Sequence, residues 1–221
     1  MTTTLYYAPG ACSFVPHMAM EAIAAATGAS FEFKSIKLHK NEQNSPEYLA
    51  LNPNGQVPLM VVDGQPLTQI VAICEYLDLQ HPQARLLPTT PWARAQALST
   101  IAWMNNTAHP TFTHVFMPHK FTDDADAQAK IRATAAGQFR AHLERIQGWL
   151  DCAQPWLGGA QPSFVDAYAL TLLRWGGFAG IDPDSLPALK AFVDRLTQEA
   201  PVAAAMAREG IAMNTYKPPK A

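Results

Sequence analysis

The apolar positions change period along the chain, and the changes mark out its elements. Leu5-Tyr6-Tyr7 is a short apolar run closing a strand over 3–7, and Pro9 and Gly10 break it as a turn would. From Ser13 onward Phe14, His17, Met18, Glu21 and Ala22 recur at three- and four-residue spacing. That is the period of a helix over about 13–27, with Gly28 as its C-cap. Residues 31–36, Phe-Glu-Phe-Lys-Ser-Ile, alternate as a second strand does. The polar stretch 39–44 leads to a short helical segment near 45–50, and Asn52-Pro53-Asn54-Gly55-Gln56 is loop chemistry throughout. Leu59–Val62 reads as a third strand, Asp63-Gly64 as a hairpin turn, and Gln65-Pro66-Leu67 as a fourth strand that Pro66 confines to an edge. Thr68 is placed to cap a helix over about 69–79. The sum is βαβ followed by ββα, an α/β half spanning residues 1–80.

Residues 81–91, rich in proline, predict a linker and the boundary between two domains. Beyond it, over 92–221, no strand pattern occurs and helical patterns cover 92–108, 126–151, 163–176, 185–199 and 201–209. Ser163-Phe164-Val165-Asp166 has the spacing of a capping box after the Trp156-Leu157-Gly158-Gly159 loop. Lys217-Pro218-Pro219-Lys220 reads as a loose tail.

Composition narrows the function. Hydrophobic residues make up 48% of the 221 and charged residues 15%, enough for a sizeable core. A net charge of −2 gives no basic field for nucleic acid or for an anionic membrane surface. No apolar run approaches the roughly 20 residues of a membrane span, and the first residues carry no signal-peptide pattern. A cytoplasmic protein is expected. The cysteines, 12, 74 and 152, are odd in number and far apart. That argues for a reducing compartment and against a disulfide framework or a zinc site; no metal is expected. Cys74 lies on the apolar face of Ile70, Ile73 and Leu77 and reads as packing; nothing points to a function for Cys152.

Cys12 is different. It falls in the loop before a helix or in that helix's first turn, where unpaired N–H groups and the helix dipole favour a thiolate. Ser13 and Tyr7 add hydroxyl groups beside it. Against this stands the common case of a cysteine as a small buried apolar residue. Val57-Pro58, at the mouth of the third strand, is a candidate cis-proline that would present the Val57 N–H and C=O to an extended peptide. Thr68-Gln69-Ile70 opens a helix whose free N–H groups suit a carboxylate, with Gln69 placed to hydrogen-bond an amino-acid head group. A cysteine-containing peptide with a terminal carboxylate would satisfy all three features.

In their order and spacing, residues 7–13, Asn52-Pro53-Asn54-Gly55-Gln56-Val57-Pro58, Ser163-Phe164-Val165-Asp166-Ala167-Tyr168 and Leu173-Arg174-Trp175 resemble the glutathione S-transferases, most closely the bacterial Beta class. The resemblance spans nearly the whole chain. It implies a thioredoxin-like N-terminal domain, an all-helical C-terminal domain, a homodimer, and glutathione as co-substrate. By the same resemblance Cys12 faces the glutathione sulfur, with His109, Ser13 and Tyr7 as further catalytic candidates. Val57 and Pro58 meet the cysteinyl unit, Lys40 the glycyl carboxylate, and Gln69 and Ile70 the γ-glutamyl end. Asn105 or Asn106 also falls near the site, and Asn106 is taken as the glutathione-binding one. Ile70 departs from the pattern the resemblance implies, since the family usually has Glu or Gln followed by Ser or Gly. The missing hydroxyl removes a hydrogen bond worth about 0.5–1.5 kcal/mol. Asp166 is implied to be structural. Phe112, Phe116 and Trp175, with Phe121 and Phe178, are candidates for an apolar second-substrate pocket, although aromatics at helical spacing are more often core.

The resemblance implies conjugation of glutathione to apolar electrophiles in detoxification. Two alternatives stand beside it. One is a thiol transferase or disulfide reductase acting through a Cys12–glutathione mixed disulfide; the other is a non-catalytic ligand-binding protein on the same fold. The Ser-Ser-Cys signature of the maleylacetoacetate isomerase type is absent.

Overall fold

Four short strands pair into one sheet in a computed structural model that describes residues 2–152 and 155–218. They are β1 (Thr3–Tyr7), β2 (Glu32–Ser35), β3 (Leu59–Val62) and β4 (Gln65–Thr68), in the order β2-β1-β3-β4. The helix α1 (Phe14–Thr27) carries the chain from β1 to its parallel neighbour β2 and ends at Gly28, whose φ of +74° makes the left-handed cap. The hairpin at Asp63-Gly64 makes β4 antiparallel to β3, and Pro66 lies on the sheet edge as expected. Alternation along β1 sorts its side chains between two faces. Leu5 and Tyr7 join the main core under α1 and α3 (Ile70–Gln80), while Tyr6 faces the smaller cluster of Ile36, Tyr48 and Leu59 beside α2 (Pro46–Leu51).

Thr68 does not cap α3. It is the last paired residue of β4, opposite Leu59, and Gln69 takes the position before the helix without a side-chain cap. Gln69 sits at φ +74°, ψ 120°, a backbone conformation that costs a non-glycine residue about 1–3 kcal/mol.

Beyond α3 the described chain is helical. A single turn at Pro82–Ala84 and the buried Leu86 and Leu87 pin the segment expected to be a linker. The Leu87 N–H donates to Asp78 of α3, and Asp78 and Glu75 together hold Arg94 of α4 (Pro91–Trp103). The helical pattern does not stop at 108. Pro110 has no N–H to donate, and the chain accommodates it in a wide turn over Met104–Ala108, in which the His109 N–H reaches back five residues to Met104. The helix then resumes as α5 (His109–Phe116). After α6 (Ala125–Trp149) comes α7 (Phe164–Phe178), which is buried on all sides from Phe164 to Leu173 and forms the centre of this half.

The helices α8 (Pro187–Leu196) and α9 (Ala200–Glu209) complete the set, and α1 packs against both α7 and α9, joining the two halves. The capping box of α7 is present. Asp166, fully buried, accepts from Ser163 N and Oγ, Leu157 N and Gly158 N. No helix among the described residues is long and apolar enough to cross a membrane. Cys74 is wholly buried in the core; the side chain of Cys152, and Pro219 and Lys220 of the expected tail, lie outside the described residues.

Candidate active site

The chain leaves the C-terminal end of β1 at Tyr7 and turns through Pro9 and Gly10 before α1 begins at Phe14. Cys12 sits in this turn and lines an open cleft of about 400 Å³ shared with Asn52, Asn54, Gln56, Val57, Pro58, Thr68, Gln69, Ile70, Asn105 and His109. The Val57–Pro58 peptide is cis. The loop before it is held by Asn52 and Tyr48, which both donate to the Gln56 carbonyl, at 2.7 and 2.6 Å. Val57 is thereby fixed at the mouth of β3, with its carbonyl 3.5 Å from the Cys12 sulfur. The Val57 N–H makes no hydrogen bond among the described residues. The first-turn N–H groups of α3 open at the same cleft through Gln69 and Ile70.

Burial decides the state of Cys12. The side chain is 7% exposed, and desolvation pushes the thiol up to about 12. The backbone N–H groups of Cys12 and Ser13 pull the other way, as the helix N-terminus was expected to do, and the Glu209 carboxylate adds to the rise. The sequence expectation of a stabilised thiolate is therefore reversed in the ligand-free protein. The smaller helix-terminus effect is present, but the loss of water outweighs it.

His109 comes from the wide turn and α5. Its Nδ1 is 3.1 Å from the Tyr168 hydroxyl, which donates at 3.1 Å to Asn105 Oδ1. The Tyr168 hydroxyl thus ties the His109 ring to Asn105, and both His109 and Asn105 line the cleft. Burial lowers His109 to about 4, which favours the neutral ring at physiological pH.

The other candidates lie elsewhere. Ser13 is fully buried, its hydroxyl accepting from the Ala8 N–H at 3.0 Å and facing the Ala8 carbonyl. Tyr7 packs its ring on His17 and is raised by burial. Neither lines the cleft. Lys40 is exposed on a short turn and is not part of the cleft wall. Asn105, not the exposed Asn106, faces the cleft; the Asn105 amide donates to Asn106 at 2.9 Å. Phe112 and Trp175 are buried and stacked at 4.6 Å, with His109 edge-on to Trp175. Phe116 stacks on Phe112 and meets Phe178, and these two are half-exposed. The aromatics thus form a ladder beside the cleft rather than its wall. Among the described residues no cluster of three or more His, Cys, Asp or Glu could hold a metal.

Sequence reasoning missed Asn54, Gln56 and the hydroxyl-bearing Thr68 as wall residues, and Tyr168 as the partner of His109. Tyr168 carries a signal in hindsight, a phenol at a fully buried helix position, which needs a hydrogen-bond partner.

A sheet of four strands in this order, a cis-proline mouth facing a cysteine turn, and an all-helical second half define a glutathione S-transferase fold, and comparisons with known proteins agree. Residues 1–79 match the glutathione S-transferase N-terminal domain and residues 104–200 the C-terminal domain. The chain is 34% identical over 208 residues to glutathione S-transferase GST-4.5 of Xanthomonas campestris pv. campestris, covering 94% of this chain and 98% of that protein. A glutathione transferase homologue from Sulfitobacter, solved with bound glutathione, superposes with a TM-score of 0.86 at 26% identity, over 95% of this chain and 99% of the other. A bacterial Beta-class glutathione S-transferase from Sphingomonas chungbukensis gives a TM-score of 0.79 at 30% identity, over 95% and 100%. The chain belongs to the glutathione S-transferase family.

Proposed function

We propose that the cleft binds glutathione and presents its thiol to an apolar electrophile. The observation that carries this reading is the convergence on one cleft of the Cys12 thiol, the Val57 peptide, the α3 N-terminus with Gln69, and the His109 imidazole. Glutathione would lay its cysteinyl unit along Val57, pairing with the free N–H. Its γ-glutamyl carboxylate would sit at the first turn of α3 beside Gln69. The glycyl end would run toward Lys40, across solvent. The glutathione thiol would then lie between Cys12 and His109 and donate to His109 Nε2. As the sulfur attacks, the S–C bond forms, the leaving group departs with its electron pair, and the thiol proton passes through His109 to water. Phe116 and Phe178 offer the half-exposed apolar surface on which an aromatic electrophile would rest, with Phe112 and Trp175 supporting them from the core.

The rise that burial gives the Cys12 thiol favours conjugation over disulfide exchange, because exchange needs a Cys12 thiolate. The homodimer implied by the resemblance would cover Leu79 of α3 and Trp92 of α4, two exposed apolar side chains. Sedimentation at twice the chain mass supports it, and sedimentation at the chain mass refutes it. Cytoplasmic action in detoxification completes the reading. Turnover of 1-chloro-2,4-dinitrobenzene with glutathione, lost on His109→Ala, tests the site. A glutathione adduct on Cys12 without conjugation would transfer the function to disulfide exchange, and neither adduct nor turnover would leave a ligand-binding protein.

A further inference from the structure

Buried groups that the cleft does not use converge on one peptide behind it. Gly10, two residues before Cys12, has φ +69°, and a Cβ there would meet the Arg174 guanidinium, which lies over the turn. Its carbonyl accepts from the Trp175 indole N–H at 2.9 Å and from Arg174 at 3.4 Å. Its N–H donates to Glu209 Oε2 at 2.7 Å, across 199 residues of sequence. The other Glu209 oxygen lies 2.8 Å from His17 Nδ1 of α1, and neither side chain is exposed. His17 Nε2 is buried without a hydrogen-bond partner. A carboxylate taken out of water is a costly group, and an apolar residue packed in its place is often as stable or more so. Packing alone therefore gives no reason for an acid here. The Gly10 N–H gives one, because α9 meets the Cys12 turn at that hydrogen bond.

We propose that Glu209 is a positioning residue for the Cys12 site: by holding the Gly10 peptide from α9, it fixes the Pro9–Cys12 turn and with it the reach and reactivity of the Cys12 thiol. Its consequence for turnover rests on the proposed glutathione site; its effect on Cys12 does not. The titratable groups around this turn are Tyr7 of β1, His17 and Glu21 of α1, His109 of α5, Tyr168 and Arg174 of α7, and Arg208 and Glu209 of α9.

The test compares two variants of the full chain. E209Q keeps an acceptor for the Gly10 N–H and removes the charge; E209A removes both. Alkylation of Cys12 by iodoacetamide is followed by mass spectrometry from pH 7 to 10 in ligand-free protein, and the glutathione KM and kcat are measured in parallel. E209Q is expected to alkylate about two- to tenfold faster than wild type at a fixed pH, the size of one nearby like charge. E209A is expected to raise the glutathione KM several-fold, with E209Q recovering most of the loss. Two folded variants that keep the wild-type alkylation profile and KM would overturn the proposal. Where E209A does not fold, Glu209→Asp, which keeps the acid but draws it back from the Gly10 N–H, decides: an unchanged Cys12 alkylation profile and KM would overturn the proposal. Where no form turns over glutathione, the proposed function fails, and the alkylation comparison still decides the role of Glu209.

Discussion

A thiol buried as Cys12 is should behave as a poor nucleophile until something enters the cleft. Its value of about 12, against an ordinary 9.0, means that roughly 4 kcal/mol disfavours the thiolate. A helix N-terminus contributes about 0.3–1 kcal/mol, rising to ~2 in buried geometry, so it offsets only part of this. At pH 7.5 an ordinary thiol is about 3% ionised, and one at about 12 is ionised about a thousandfold less. Iodoacetamide reacts with the thiolate, so the alkylation rate of Cys12 reports this fraction. In ligand-free protein the rate should lie about three orders of magnitude below that of a free cysteine at pH 7.5. It should then climb about tenfold per pH unit to pH 10, without a plateau. Cys74, wholly buried, serves as the unreactive internal control. A plateau below pH 8, or labelling at pH 7 as fast as that of free cysteine, would show a standing thiolate. It would refute burial as the dominant effect on Cys12 and put disulfide exchange ahead of conjugation.

Other consequences are independent of Cys12. His109 at about 4 in the fold, against an ordinary 6.5, means that between those values the unfolded chain binds a proton the native chain does not. Stability should therefore fall as pH drops from about 6.5 toward 4, by up to about 3 kcal/mol from this residue, and urea midpoints of His109→Asn should show that much less acid sensitivity. Ile70→Ser restores a hydroxyl at the mouth of α3 and should tighten glutathione binding by about 0.5–1.5 kcal/mol in calorimetry. Because Ile70 is 3% exposed, the same change should lower the stability by about 1.5–3 kcal/mol, and unchanged affinity would remove Ile70 from the γ-glutamyl site. Asp166→Ala leaves the Ser163, Leu157 and Gly158 N–H groups without their acceptor and should destabilise the chain by about 3–5 kcal/mol in urea unfolding; a loss under 1 kcal/mol would contradict the capping role.

The sheet half was legible because each element carries its own local signal. Alternation in β2, Asp63-Gly64 between β3 and β4, Pro66 at an edge and Gly28 after α1 are all short-range features. The capping box of α7 was legible for the same reason. The helix running past 108 was not, because a proline ordinarily ends a helix, and only the wide turn at Met104–Ala108 lets this one continue. In the site, Cys12, Val57 and Gln69 could be placed from the loops and helix starts that hold them. Their electrostatics could not: the position before a helix argues for a thiolate, whereas the burial that strips Cys12 of water comes from a core that gathers residues far apart in sequence. Thr68 was drawn to the cap by its residue type, but pairing with Leu59 keeps it in β4. The turn from Asn105 to His109 depends on helical phase, so the choice between Asn105 and Asn106 needed the geometry of the wide turn.

The claim that the cleft is a glutathione site is tested most directly by calorimetric titration of the full-length protein with glutathione, beside S-methylglutathione and the Gln69→Ala variant. Saturable binding is predicted. S-methylglutathione should bind more weakly because it has no thiol proton for His109 Nε2, and Gln69→Ala should lose affinity by about 1 kcal/mol or more. No saturable heat with glutathione, or equal affinity in all three titrations, would contradict it.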